Sequence, residues 1–415
     1  MLTKGSRYIP FLTAGLLLAG QMALADEWIA EGQLGFGARY SDNPINRPDD
    51  SNPQSTAGTT GSASVEFERQ VDNKSYSLRP RVTRNWHPDR ELKDAEHTNL
   101  YLNGGAGISY ERSNWNVTFR VSDRGILTSE QEDSADFLRV DDTRQELSVS
   151  PSATWHMTQK DQLTVATSFS DTDFDNEFNT RFDFKSSSIS VFYNRIINAR
   201  HSIGITALVN QYRSEALNNP TDPVMLENDT DGKSISVNYA YQWSETTRLT
   251  LSVGEQSSDL SSSSVNQGAG IEIFNNNSTF ESTQYNLAIT NETEQGTWNF
   301  GAARSVQPSS TGTPAEKWQL SGNYEHSITP SLTGHIKVMG YRQEATGSLL
   351  SAVRGETKFI RMDLELSWRV SRRTSLVWEY TFRRRNPEST DFEPGLATSA
   401  TSNELAFGAR YKFGI

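Results

Sequence analysis

The chain contains no cysteine, which excludes disulfides, thiol chemistry, cysteine-ligated zinc and a lipid-modified amino terminus. Basic residues are in deficit, 39 Lys and Arg against 51 Asp and Glu, for a net charge of −12. Without a basic field there is no footprint for nucleic acid, and none is expected as a partner. Beyond the first two dozen residues no long apolar run occurs, so no transmembrane helix is expected. Apolar residues recurring at i, i+3, i+4 and i+7 are also missing, although a soluble chain of this length would normally contain helices and divide into several domains.

What is present begins with Lys4 and Arg7, an apolar stretch from Ile9 to Gly20, and Ala23-Leu24-Ala25 ahead of Asp26. This is the pattern of a secretory signal peptide, residues 1–25, cleaved after Ala25. The apolar core is shorter than the roughly 20 residues of a membrane-spanning helix. Cleavage removes Lys4 and Arg7 and no acidic residue, which takes the net charge from −12 to −14.

From 26 to 415 the sequence alternates with period two. Ile360, Met362, Leu364, Leu366, Trp368 and Val370 share one strand face, while Arg361, Asp363, Glu365, Ser367 and Arg369 share the other. Leu376, Trp378, Tyr380 and Phe382 repeat the pattern against Ser375, Val377, Glu379, Thr381 and Arg383, and Ile235 to Trp243 and Leu249 to Val253 do so upstream. Each run has about the 9–11 residues that a tilted membrane strand needs.

Connections alternate in length. Short turns fall at Asp72-Asn73-Lys74, Arg112-Ser113-Asn114, Thr158 to Asp161, Asn198-Ala199-Arg200, Ser244 to Thr247, Glu294-Gln295-Gly296, Thr329-Pro330-Ser331 and Ser371 to Arg373. Long polar loops lie between them, among them Ser41 to Gly61, Thr172 to Phe184, Glu215 to Asp231 and Ser258 to Thr279. A β-sandwich has no reason to segregate short and long connections in this way. The fold expected is therefore all-β: one antiparallel up-and-down transmembrane β-barrel of about eighteen strands, in the outer membrane of a Gram-negative bacterium. If the short turns are periplasmic, Trp115, Trp155, Trp243, Trp298 and Trp368, five of nine tryptophans, lie at the headgroup level that amphipathic rings prefer.

The last strand presents Leu405, Phe407, Ala409, Tyr411 and Phe413 on one face. It resembles the carboxy-terminal signal read by barrel-insertion machinery, with Gly414 and Ile415 displacing the usual terminal aromatic. The first strand ends Gly37-Ala38-Arg39-Tyr40 and continues Ser41-Asp42-Asn43-Pro44-Ile45-Asn46-Arg47-Pro48-Asp49-Asp50. With the strand rhythm of the whole mature chain, this resembles the outer-membrane β-barrel porins associated with exopolysaccharide and exosortase gene clusters. The resemblance implies an eighteen-stranded barrel at the outer-membrane step of polysaccharide export, working with periplasmic export proteins, and it brings no catalytic residues. The Asp42-Asn43 pair by itself reads as a turn.

An eighteen-strand barrel is wide enough for an aqueous lumen, so function is sought on the inward face. The candidates there are Arg79, Arg81, Arg120, Lys337, Arg361, Asp363, Glu365, Arg369, Glu379 and Arg383. They read either as charges that guide a solute or as cross-strand ion pairs that keep the wall hydrated. Arg383-Arg384-Arg385 is suited to acidic sugars or to lipopolysaccharide phosphates, and also reads as a solvated strand end. Asp171-Thr172-Asp173-Phe174-Asp175-Asn176-Glu177 spaces carboxylates like a calcium loop, but it lacks the glycine at position six and the glutamate at position twelve. Of the six histidines only His335 is expected to face inward from mid-strand, with no nucleophile at a suitable spacing. No enzyme, metal or cofactor is expected. The leading expectation is passage of a secreted polysaccharide, followed by a passive porin for small hydrophilic solutes, and then a structural or adhesive barrel acting through its loops.

Overall fold

The computed structural model describes residues 28–44, 49, 53, 55–87, 98–126, 142–174, 183–217, 224–266, 271–308, 314–345, 356–388 and 399–414. The proposed signal peptide lies outside them.

Eighteen strands form one sheet. They run β1 (Ile29–Ser41), β2 (Thr56–Val71), β3 (Lys74–Trp86), β4 (Thr98–Ser109), β5 (Ser113–Ile126), β6 (Asp142–His156), β7 (Asp161–Phe174), β8 (Asp183–Asn198) and β9 (His201–Leu217). There follow β10 (Val224–Gln242), β11 (Thr247–Asn266), β12 (Ile271–Thr293), β13 (Gly296–Pro308), β14 (Pro314–Thr329), β15 (Leu332–Ala345), β16 (Glu356–Arg369), β17 (Thr374–Glu388) and β18 (Ala400–Gly414). Each strand pairs antiparallel with its sequence neighbours, and β1 pairs with β18 from Glu31 and Gly414 to Ser41 and Glu404. The sheet is closed, so no edge is left with unpaired backbone groups in lipid.

Directly paired residues point to the same side of a sheet, so the register sorts every strand into an outer and an inner face. The outer face carries the apolar set, with Phe36, Ile205, Ile235, Leu320, Ile360 and Phe407 all exposed. An exterior this apolar on a closed barrel is a lipid-facing band. Where one strand offers only glycine, a neighbour fills the gap: a Cβ at Gly104 would collide with the ring of Phe119, its partner on β5, as when an aromatic side chain covers a glycine on the adjacent strand. At the short-turn end Trp115 and Trp155 meet edge to face at 5.3 Å. Around the same end His201 and Tyr241 lie 4.9 Å apart and Tyr324 stacks on His326 at 5.8 Å, which forms the aromatic girdle expected at a headgroup layer. The two-residue turn Asp72-Asn73 holds Asp72 at φ 50°, the left-handed geometry that suits such a hairpin.

Two of the expected long loops are mostly strand. β9 and β10 leave only 218–223 between them, and β11 and β12 leave only 267–270, so Glu215 to Asp231 and Ser258 to Thr279 extend the ladder instead of looping. On β10 from Glu227 to Lys233 both faces are polar. The alternation that marks a half-buried strand is therefore absent there, and backbone pairing alone continues it. β12, at 23 residues the longest, pairs with β11 along its length but with β13 only from Tyr285 to Thr293. Where that ladder stops, Gln256 of β11 bonds the backbone of Val306, donating to its C=O at 2.8 Å and accepting from its N–H at 3.3 Å. One amide side chain thus satisfies both polar groups of a residue that has lost its neighbour strand.

Candidate functional site, the inner wall

The register places all ten residues singled out in the sequence on the inner face. Arg79 and Arg81 come from β3, Arg120 from β5, Lys337 from β15, Arg361, Asp363, Glu365 and Arg369 from β16, and Glu379 and Arg383 from β17. Their partners show what each charge is doing. Arg410 of β18 reaches Glu379 at 2.9 Å and Glu365 at 3.5 Å, spanning three strands. Glu404 is approached by Arg383 at 3.4 Å and Arg39 at 3.9 Å. Arg361 and Asp363 pair along one strand at 2.9 Å, and Thr381 donates to the same carboxylate at 2.9 Å. Arg79 pairs with Glu66, and Arg120 donates to Asn103 at 3.1 Å. Arg81 stands 5.8 Å from the Tyr101 ring, a cation–π contact. Lys337 is in register with Asp363. Arg369 has another use, since it donates to the Pro330 carbonyl at 2.6 Å and fastens the periplasmic turn between β14 and β15.

The sequence treated Arg383-Arg384-Arg385 as one cluster, but the strand splits it. Arg383 and Arg385 point inward and are buried, while Arg384 points outward beside the apolar band. His335 faces inward as expected and bonds Asn323. Asp171 and Asp173 lie on β7, whereas 175–177 fall outside the described residues. Among the described residues no group of three or more histidines and carboxylates is arranged to hold a metal ion.

Sequence reasoning missed the uneven distribution of these charges around the bore. From β14 through β18 and β1 to β6 the inner wall is charged and cross-linked. From β7 to β13 it is not. Between Arg248 and Glu292 beside the periplasmic turns and the extracellular end, the described inward side chains on those strands carry no charge. They are mainly Ser, Thr, Asn and Gln, joined by hydroxyl and amide contacts: Ser168 with Ser188 at 2.7 Å, Ser170 with Ser186 at 2.8 Å, and Asn238 donating to Thr206 at 2.7 Å. The signal was available in strand parity, since every acidic or basic residue of β8 to β11 above the turns sits at an odd position.

Exposure also changes along the axis. A cavity of about 650 Å³ lies against the inner wall of β1–β3, β17 and β18, lined by Arg79, Glu379 and Arg410 among others. At the extracellular end Ser41, Thr172, Ser214, Gln343, Phe359 and Ser402, all inward, are each under 5% exposed. The inward side chains at that end are therefore closely packed. Two inward aromatic groups sit there. One is Phe174, Phe184 and Tyr212, with Phe184 and Tyr212 stacked at 5.3 Å. The other is Tyr341 on Phe359 at 5.0 Å, with the Lys317 ammonium 4.5 Å above Tyr341.

With a closed sheet, an apolar exterior, an aromatic girdle and a polar bore, one environment fits. The chain is an outer-membrane β-barrel. Among solved structures it is similar to the ferric citrate transporter FecA in its unliganded form, with a TM-score of 0.50, 9% identity, and coverage of 92% of this chain and 78% of that one. It is also similar to the open form of the ferric-catecholate import receptor Fiu from E. coli K12, with a TM-score of 0.50, 8% identity, and coverage of 94% and 82%. OccAB2 of Acinetobacter baumannii matches with a TM-score of 0.47, 10% identity, and coverage of 95% and 99%. At these identities the likeness is one of fold. No family model and no curated protein matches the sequence.

Proposed function

We propose that this barrel carries a hydrophilic polymer, a secreted polysaccharide, across the outer membrane. The observation that supports it is the uncharged hydroxyl- and amide-lined inner wall of β7 to β13 facing a charged one. A glycan is itself a dense array of hydroxyls. A wall that exchanges one hydroxyl hydrogen bond for another holds it weakly at many places, and conduction needs binding of that kind. The Arg410, Glu379 and Glu365 side of the bore is cross-linked by ion pairs and so presents no single-sign field. The resemblance at Tyr40-Ser41-Asp42-Asn43 agrees with this reading. Periplasmic export proteins would supply the chain, because a barrel has no motor of its own.

The close packing of the inward side chains Phe359, Ser402 and Ser214 supports a second reading, a porin that admits only small hydrophilic solutes. The two readings separate in a planar bilayer. For the polymer conduit, oligosaccharide from the host's secreted polysaccharide interrupts the single-channel current from the periplasmic side. For the small-solute porin, steady conductance is indifferent to that oligosaccharide.

A further inference from the structure

On the outside of the barrel, just beyond the apolar band at the extracellular end, β13 to β17 present a patterned surface. One rung of paired residues reads Arg304, Trp318, Arg342, Lys358 from β13 to β16, and it continues to Asn386 on β17 with Arg384 two residues below. The next rung outward reads Val306, Glu316, Glu344, Glu356. Below the row of cations the face is apolar again, with Leu320, Val338 and Ile360 all exposed.

Like charges placed directly opposite each other on neighbouring strands repel, so the carboxylate row persists only because the row beneath neutralises it. Arg304 grips Glu316 with two bonds of 2.9 Å, Arg342 reaches Glu356 at 2.7 Å, and Lys358 lies 3.3 Å from Glu356. The Trp318 indole N–H donates to Glu316 at 2.6 Å, and its ring lies 5.0 Å from the Arg304 guanidinium. The carboxylates thus hold the cations in fixed positions. They do not exhaust them, because Arg342 and Lys358 remain about half exposed and the Arg342 guanidinium has five N–H donors.

We propose that this surface binds the phosphorylated headgroup of the outer-leaflet glycolipid, with phosphate held by Arg342, Lys358 and Arg384 and the sugar against Trp318. Its position selects that source over free phosphate, since the row of cations stands on the lipid-facing wall directly above Leu320 and Ile360. Guanidinium and ammonium groups fixed at a membrane surface match phosphate in charge and geometry, and an indole ring offers an apolar face at the depth where aromatic girdles lie. The carboxylate row above repels an anion placed further from the membrane, so it sets the depth at which phosphate is accepted.

The test titrates the detergent-purified barrel with lipid A, phosphatidylglycerol or inorganic phosphate and reads the thermal midpoint and the lipids retained in native mass spectrometry. Lipid A is expected to raise the midpoint and to stay bound. Arg342→Gln with Lys358→Gln is expected to weaken it at least about tenfold, the scale of losing one charge-assisted contact. Lys233→Gln, on the outer wall of β10, should leave the affinity unchanged and serves as the folding and charge control. Equal stabilisation by phosphatidylglycerol would overturn the glycolipid assignment, and equal stabilisation by inorganic phosphate would overturn the lipid assignment. No shift with lipid A, or an unchanged affinity in a double variant that still runs as folded barrel in unheated gels, would overturn the proposal altogether.

Discussion

On β8 the inward residues include Ser186, Ser188, Ser190 and Asn194, whereas on β16 they include Arg361, Asp363, Glu365 and Arg369. Both strands cross the same membrane and back the same kind of apolar exterior, Ile189 and Val191 on one and Ile360 and Leu366 on the other. Membrane insertion therefore constrains only the outer half of each strand. The inner half is free to differ, and here it does so by arc: neutral from β7 to β13, ion-paired elsewhere. On β9 and β10 the charges reappear outside, above the apolar band, where Arg213 pairs with Glu227 and lies 3.8 Å from Asp229. The neutral arc is thus not a region poor in charge but one whose charges point away from the bore.

The largest effect is expected among the buried inward side chains of the extracellular end. Phe359→Ala removes a buried ring stacked on Tyr341 and should cost about 3–5 kcal/mol of local packing. Single-channel recording should show a larger and noisier current than the wild type, and an unchanged current would show that this ring does not restrict the bore. Next comes the charged arc. Arg410→Met leaves Glu365 and Glu379 without their shared cation, so reversal potentials in a salt gradient should shift toward cation selectivity. A shift toward anions, or none, would show that these groups do not sense the permeating ions.

A smaller effect belongs to the seam between β12 and β13. Gln256→Ala deprives the Val306 N–H and C=O of their partner and should cost about 1–3 kcal/mol. It should also speed hydrogen exchange at Val306 more than at Ile205, in the fully paired wall. The smallest concerns Asp229, above the membrane band, whose carboxyl is pushed up from 3.8 by burial, only partly offset by Arg213. A carboxyl with a raised folded-state pKa costs stability once it is ionised and costs none below its unfolded value. Asp229→Asn should therefore raise the thermal midpoint slightly at neutral pH, and the gain should vanish as the pH falls toward 3.8.

The sequence carried the wall of the barrel well, because lipid outside and water inside impose period two on every crossing and make each short turn visible at Gly, Asn, Asp, Ser or Pro. Residues 360 to 370 alone show both faces. It carried the ends of the strands poorly. From 227 to 233 both faces are polar, so no alternation distinguishes ladder from loop, and only the pairing of β10 with β9 and β11 reveals it. The inward charges were identifiable one by one, but their partners were not. Arg410 meets Glu379 and Glu365 because three strands lie side by side, and the diversion of Arg369 to the Pro330 carbonyl depends on turn geometry. The carboxylate and cation rows of β13 to β17 escaped for the same reason, since their members are scattered from 304 to 384 in sequence.

The central claim is that the neutral arc carries the glycan, and one comparison tests it most directly. Oligosaccharide block of the single-channel current should be measured for the wild type, for Ser188→Asp in the neutral arc and for Glu379→Gln in the charged arc. The account predicts that block by a neutral oligosaccharide weakens markedly in Ser188→Asp and stays near wild type in Glu379→Gln. Equal block in all three, or a loss confined to Glu379→Gln, would contradict it.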